Sequence, residues 1–234
     1  MNIELVGMPG GGKSYLCRSV ELRLREQQVS GNASPVPLAT YRMESTGSGR
    51  VMNQGRKLTC GLVFVCCNPK VTMQLLKTVF GNGQGVQRNR LTKFVNLLAE
   101  MQRVHTASKA VSLMTEQGVL QGVWSLEMLA SESVCKDIMQ LIVPWLPDAI
   151  VLVKAESSQL ERRLAFRKLG QSTFDQLRGA DLTVAIKRGE DKLARIIDIW
   201  TSLKPGGRRL DFTNETDNDA GELYAWLVNQ LAGN

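Results

Sequence analysis

Gly7-Met8-Pro9-Gly10-Gly11-Gly12-Lys13-Ser14 is the stretch on which the reading of this chain turns. It fits the pattern G-x-x-x-x-G-K-[ST] without a gap. Each residue type has a physical reason to be there. Glycines let the backbone turn tightly around a phosphate, because a Cβ would block its approach. Successive N–H groups then point inward and form an anion nest. A helix opening near Lys13 adds the positive end of its dipole. Lys13 brings a mobile point charge, and the Ser14 hydroxyl is placed to hold Mg²⁺.

The flanks supply the context this pattern requires. Ile3-Glu4-Leu5-Val6 reads as a short buried strand. Lys13 to Gln28 reads as a helix, with Leu16, Val20 and Leu24 at i, i+4 and i+8. A dinucleotide-binding reading of the glycines fails, since no acidic residue follows a second strand at the expected place.

Further strands are expected at Val36–Arg42, Ala110–Met114, Ala149–Val153 and Arg209–Phe212; the third of these, rich in β-branched residues, is the clearest. Glu44 to Gly55 is polar, contains Gly47, Gly49 and Gly55, and reads as a loop. Lys57 to Phe80 reads as two helices joined at Pro69, although Leu62–Val65 alone fits a strand as well. Gly81 to Gly85 is a glycine-rich link. Helices are expected at Val86–Thr106, Val123–Leu129, Glu132–Val143, Ser157–Leu169, Leu182–Leu203 and Asp219–Leu231. Short apolar strands alternating with helices are the pattern of an α/β fold with a mostly parallel sheet.

Composition narrows the partner. The chain has 234 residues, with 29 Lys+Arg against 22 Asp+Glu and a net charge of +7. Hydrophobic residues at 43% and charged residues at 22% exclude a wholly disordered or fibrous chain. The positive balance points to an anion. Lys and Arg are spread along the chain, with no basic tail and only 6% aromatics, which makes nucleic acid a weak choice. Cys60 to Cys67, the longest apolar run, is far below the roughly 20 residues that span a bilayer. Met1–Gly7 has no basic region of the signal-peptide type. The expectation is a soluble, cytoplasmic protein without membrane insertion. Cys17, Cys60, Cys66, Cys67 and Cys135 show no C-x-x-C pair, which fits reduced thiols, with Cys66-Cys67 expected in the core. His105, the one histidine, is expected at a helix end and has no ligand cluster for zinc.

Three further sets of residues are candidates for chemistry. Glu116, in Met114-Thr115-Glu116-Gln117-Gly118, follows a strand where an acidic metal ligand is usual. The segment is read either as that ligand, with Gln117 orienting a water or a substrate hydroxyl, or as a polar strand-to-helix turn. Arg163 and Arg167 lie at i, i+4 on one helix face. They are read either as charge brought onto a transferring phosphoryl group or as a solvated face paired with Glu156 and Glu161. Gly170-Gln171-Ser172-Thr173 would be the tip of such a lid. Arg42, Arg50, Arg56 and Lys57, and then Arg88, Arg90 and Lys93, are equally an acceptor-binding set or surface charge. Tyr41 is read as core packing before base stacking.

With these residues in order, the chain resembles the nucleoside-monophosphate kinase group of P-loop proteins, thymidylate kinases being the nearest comparison. The resemblance implies a three-layer α/β/α P-loop NTPase fold with about five strands and an inserted helical lid. It implies one domain over 1–234, an acceptor-binding helical insertion at 42–107 and a lid at 156–180. Gly7, Pro9, Gly10, Gly11, Gly12, Lys13, Ser14 and Tyr15 would bind ATP. Ser14 and Glu116 would hold Mg²⁺, and Lys13, Arg163 and Arg167 would serve transfer of the γ-phosphate to a small acceptor such as a nucleoside monophosphate. The usual Asp-Arg pair is Glu116-Gln117 here. Glu116-Gln117-Gly118-Val119-Leu120-Gln121 looks more like a stretch of kinase-like ATPases of bacterial and phage genomes. The alternative is therefore a P-loop ATPase or switch acting with a protein or nucleic-acid partner.

Overall fold

Runs of apolar residues that are buried on both faces belong in parallel sheets, and this chain builds one. In the computed structural model, which describes residues 1–29, 38–41, 47–81, 88–107, 112–166, 173–214 and 220–232, five strands form a single sheet. They are β1 (Asn2–Gly7), β2 (Leu38–Tyr41), β3 (Ser112–Thr115), β4 (Ala149–Lys154) and β5 (Arg208–Thr213). Their order is β2-β3-β1-β4-β5, and every pairing is parallel.

Alternation along the strands divides the core into two layers. Ile3 and Leu5 of β1, with Ala149, Val151 and Val153 of β4, pack against α1 (Lys13–Val29) and α9 (Ala220–Ala232). Val6, Ile150 and Leu152 face the opposite way, into a larger cluster. That cluster draws on α2 (Gly47–Cys67), α3 (Pro69–Phe80), α4 (Arg88–Ala107), α5 (Val119–Leu129), α6 (Cys135–Leu141), α7 (Ser157–Ala165) and α8 (Gly179–Leu203). The result is the three-layer α/β/α arrangement.

Most expected elements appear within a few residues of their predicted ends. α2 and α3 meet at Pro69, which occupies the first turn of α3, and Leu62–Val65 are helical. One expectation fails clearly: residues 47–55 are the first turns of α2, not a loop. The glycines that suggested a loop cost about 1 kcal/mol each in a helix. Once the packed stretch from Lys57 onward has formed, extending it by about three turns adds one hydrogen bond per residue without a new nucleation step. Gly61, farther along, lies where a Cβ would make ordinary 3.5 Å contact with Val95, so α2 packs against α4 there without requiring a glycine. Residues 42–46, 82–87 and 167–172 are outside the described set, and with them Arg42, Arg167 and most of the expected link and lid tip.

The cysteines divide. Cys17 and Cys135 are buried, whereas Cys66 and Cys67 are exposed, against the expectation that this pair packs in the core. His105 lies in the last turn of α4. Among the described residues no single helix is long and apolar enough to cross a membrane. The stretch Gln54–Cys67 passes only together with α3, from which it bends by 112°.

Candidate functional site

The glycine-rich loop runs from the end of β1 into α1. Gly10 and Gly12 have φ of 90° and 95°, a region that residues with a Cβ rarely adopt. At Gly12 the space is closed as well, since a Cβ would lie 1.9 Å from Asn214 Nδ2. Within the loop the Gly11 N–H donates to Met8 O at 3.1 Å, and the Leu16 N–H to Gly12 O at 3.0 Å. Lys13 is buried, and its ammonium donates to Gly7 O at 2.5 Å and Met8 O at 3.0 Å.

Three later segments meet this loop. Glu116 stands just past β3, and its Oε1 accepts the Ser14 hydroxyl; its Oε2 is buried with no hydrogen-bond partner. From α7, beyond β4, Arg163 donates to Gly10 O at 3.3 Å and to Asn214 O at 3.4 Å. Asn214, just past β5, donates from Nδ2 to Gly11 O at 2.9 Å. Gly7 to Ser14, Glu116 and Arg163, all expected from sequence, are thus together. Asn214 was not expected, because nothing local in the sequence announces it.

Glu4 was also missed. It lies in the middle of β1 and is buried. Its carboxylate accepts the N–H groups of Leu120 at 3.0 Å and Gln121 at 2.8 Å, at the start of α5. A Cβ on Gly118 would be 2.6 Å from Glu4 Cδ, so only glycine lets the chain pass there. Burial, with a smaller contribution from the Glu100 charge, pushes the Glu4 carboxyl up to about 7 against the pull of those N–H groups. Glu4 therefore ties the strand that carries the glycine loop to the helix that follows Glu116.

A cavity of about 380 Å³ opens beside the loop. Pro9 to Tyr15, Glu116, Arg163, Lys93, Gln117 and Gln121 are among the residues that line it. Trp124 and Phe174, both largely buried, also reach the lining and stack on each other, with ring centroids 6.0 Å apart and planes 17° off parallel. Trp124 is fixed by its indole N–H, which donates to Gly189 O at 2.9 Å. The candidate acceptor cations separate. Lys93 lines the cavity, whereas Arg90 is buried and donates to Leu129 O at 2.7 Å, so it is neither surface charge nor part of the cavity. Lys57 is buried and faces Glu100, and Arg56 is exposed. The side chains of Tyr41, Arg50 and Arg88 are outside the described set.

No family model and no curated protein matches the sequence. Solved structures do match its shape. Deoxyadenosine kinase from M. mycoides with the products dCMP and a flexible dCDP superposes with a TM-score of 0.52 over 100% of both chains, at 11% identity. The same enzyme with bound dATP gives 0.51 over 99% of both chains, at 12% identity. This chain shares the fold of that deoxyadenosine kinase. A thymidylate kinase from Ehrlichia chaffeensis is more distant, with a TM-score of 0.46 over 99% of this chain and 98% of that one, at 13% identity. At such identities the likeness is one of fold, and the roles of the site residues have to be argued from their own geometry.

Proposed function

We propose that the protein is an ATP-dependent phosphotransferase acting on a small, nucleoside-like acceptor such as a nucleoside monophosphate. The observation that carries this reading is the lining of the cavity. The glycine loop with Lys13, the buried acid Glu116 and the Trp124–Phe174 pair all line one cavity. A donor phosphate and a planar acceptor would meet there, as kinase chemistry requires.

The residues fit a nucleotide with its metal ion. Gly10 and Gly12 turn the backbone around a cradle, and Glu116 Oε2 is a buried carboxylate oxygen without a partner. Ser14 Oγ and Glu116 would hold Mg²⁺, and Lys13 would leave its carbonyl partners for the phosphates. Mg²⁺, when bound, supplies charge neutralisation at the transferring group. Gly7, Pro9, Gly10, Gly11, Gly12 and Tyr15 would contact the nucleotide. Arg163 and Asn214 hold the loop through its carbonyls. Arg163 also lines the cavity, from where its guanidinium would stabilise charge on the transferring group. Arg167, outside the described residues, would act beside it. In this reading residues 156–180 are the lid, 42–107 is the acceptor-binding insertion, and Gln117 orients the acceptor.

The test is ATP turnover with and without a panel of nucleosides, nucleoside monophosphates and small hydroxyl compounds. Acceptor-dependent ADP release with a phosphorylated product supports the kinase. Turnover that ignores every acceptor but responds to a protein or DNA would show a switch instead. A Lys13→Ala variant that binds ATP as tightly as the parent would sink both readings.

A further inference from the structure

A second cavity, of about 310 Å³, shares no lining residue with the first. It lies where α8 meets the carboxyl end of β4 and the start of α7. Glu190, Leu193, Ala194 and Ile197 recur at i, i+3, i+4 and i+7, so one face of α8 forms a wall of it. Leu152 of β4 and Leu160 of α7 add apolar lining, and Met8 joins them from the glycine loop. These apolar side chains are buried, Glu190 is half-buried, and Ala194 and Lys154 are exposed, which marks the opening to solvent. Two of the lining residues are ionisable. Lys154 is taken by Asp211, at 2.8 Å. Glu190 makes no ion pair or hydrogen bond among the described residues; Lys192, two positions on, is engaged with Glu127 instead, 3.6 Å away. Burial, and then the Asp191 charge beside it, push the Glu190 carboxyl above its ordinary range. The uncompensated charge at this opening is therefore negative, in a chain whose net charge is +7.

We propose that this cavity is a second small-molecule site, for a primary amine with an apolar body, the ammonium pairing with Glu190 and the body lying against Leu160, Leu193 and Ile197. The lining is of the kind that ligand cavities have, mostly apolar with a few placed polar groups. Volume sets the size of the body. An apolar cavity of about 150 Å³ holds benzene. A space of about 310 Å³ therefore takes one ring and a short chain that reaches the opening. Charge sets the head group. An ammonium beside Glu190 favours the ionised carboxyl that burial disfavours, and it offsets Asp191. A hydroxyl brings no charge to do this, and a carboxylate would meet two like charges. A nucleotide is the wrong occupant for the same reason, since the one lining cation, Lys154, is already paired. The proposal does not depend on the kinase reading, because the two cavities have separate linings.

The experiment measures binding, not turnover. The full chain, with carbon-13 at its methionine and isoleucine methyls, is titrated with phenethylamine, phenylethanol and phenylpropanoate, which share a ring and a two-carbon chain and differ in the head group. Phenethylamine should move the Met8 and Ile197 methyl resonances saturably. Phenylethanol should bind at least about fivefold more weakly, and phenylpropanoate more weakly still. In Glu190→Gln the amine should fall to the affinity of the alcohol, with the alcohol unchanged. Ala194→Phe, at an exposed position of α8, closes the opening and should abolish binding of all three. Both variants are checked for folding by thermal unfolding. The proposal is overturned if phenethylamine gives no saturable shift, or shifts that leave Met8 and Ile197 unmoved. Equal affinities for amine and alcohol in the parent overturn it too, as does a preference that survives Glu190→Gln or binding that survives Ala194→Phe. None of these outcomes touches the kinase reading, which is decided by the acceptor panel alone.

Discussion

Glu4 makes the stability of this fold depend on pH, and the direction is set by its position. Its carboxyl has an ordinary value of 4.5 and is pushed up to about 7 by burial in β1 beneath the start of α5. Below pH 4.5 it is protonated in the folded and the unfolded chain alike. Between 4.5 and 7 the unfolded chain releases the proton and the folded chain keeps it, so stability falls as pH rises through that window. The gap from 4.5 to about 7 corresponds to roughly 3 kcal/mol, most of it lost between pH 5 and pH 8. Glu100, which faces Glu4 from α4, is also pushed up by burial and adds a slope of the same sign.

Comparison with Glu4→Gln isolates the Glu4 share. The amide does not titrate, and its single oxygen serves only one of the two N–H groups now bound at 3.0 and 2.8 Å. The orphaned N–H costs about 1–2 kcal/mol at every pH. The variant is therefore less stable than the parent at pH 5 and as stable or more so at pH 8. For a chain of this length the difference in melting temperature should move by on the order of 5–10 °C across that range. Urea unfolding followed by tryptophan fluorescence at several pH values gives the two curves. Parallel curves would show that Glu4 is ionised throughout, and would refute the claim that burial outweighs the two N–H groups.

Gly12→Ala forces a Cβ onto Asn214 Nδ2 at a φ of 95°, and nucleotide binding measured by calorimetry should fall at least tenfold. Adding Asn214→Ala relieves the clash but not the backbone strain, so the double variant should recover only part of that loss. Glu116→Gln keeps an oxygen to accept the Ser14 hydroxyl but removes the carboxylate charge, and the Mg²⁺ concentration for half-maximal turnover should rise roughly tenfold or more. Thiol labelling of the native protein, read by mass spectrometry, should modify Cys66 and Cys67 first, with Cys17 and Cys135 reacting only on unfolding.

What sequence could disclose was what is local. The glycine loop is one continuous stretch whose spacing alone carries its chemistry, and β4 declares itself through Ile150-Val151-Leu152-Val153. Glu116 was within reach because the end of a strand is a local feature. Glu4 was not: a carboxylate in an apolar strand looks the same whether it faces water or the first turn of a helix 116 residues away. The stacked Trp124–Phe174 pair joins α5 to a 3-10 turn at Thr173–Gln176, and neither residue's surroundings hint at the other. Residues 47–55 misled for the opposite reason. Their composition is that of a loop, but their state is set by the packed helix that they extend.

Parallel topology explains why residues so far apart in sequence converge. All five strands run the same way, so the segments leaving their carboxyl ends lie along one edge of the sheet. With β1 between β3 and β4, the glycine loop is flanked by the segments that leave these two neighbours: Glu116 after β3, and α7 with Arg163 after β4. β5, one strand further out, reaches the loop through Asn214, across 203 residues of sequence. A single antiparallel strand in place of any of these would carry its residue to the opposite edge. The eight residues 7–14 therefore do more than cradle an anion. Once the strand order is known, they mark which other strand ends can contribute to the chemistry. Glu4 shows the limit of that rule. It sits mid-strand, away from the carboxyl edge, and its contacts are the backbone of α5 and not the loop. It holds the scaffold on which Glu116 stands, which is why its removal should be read in stability before it is read in turnover.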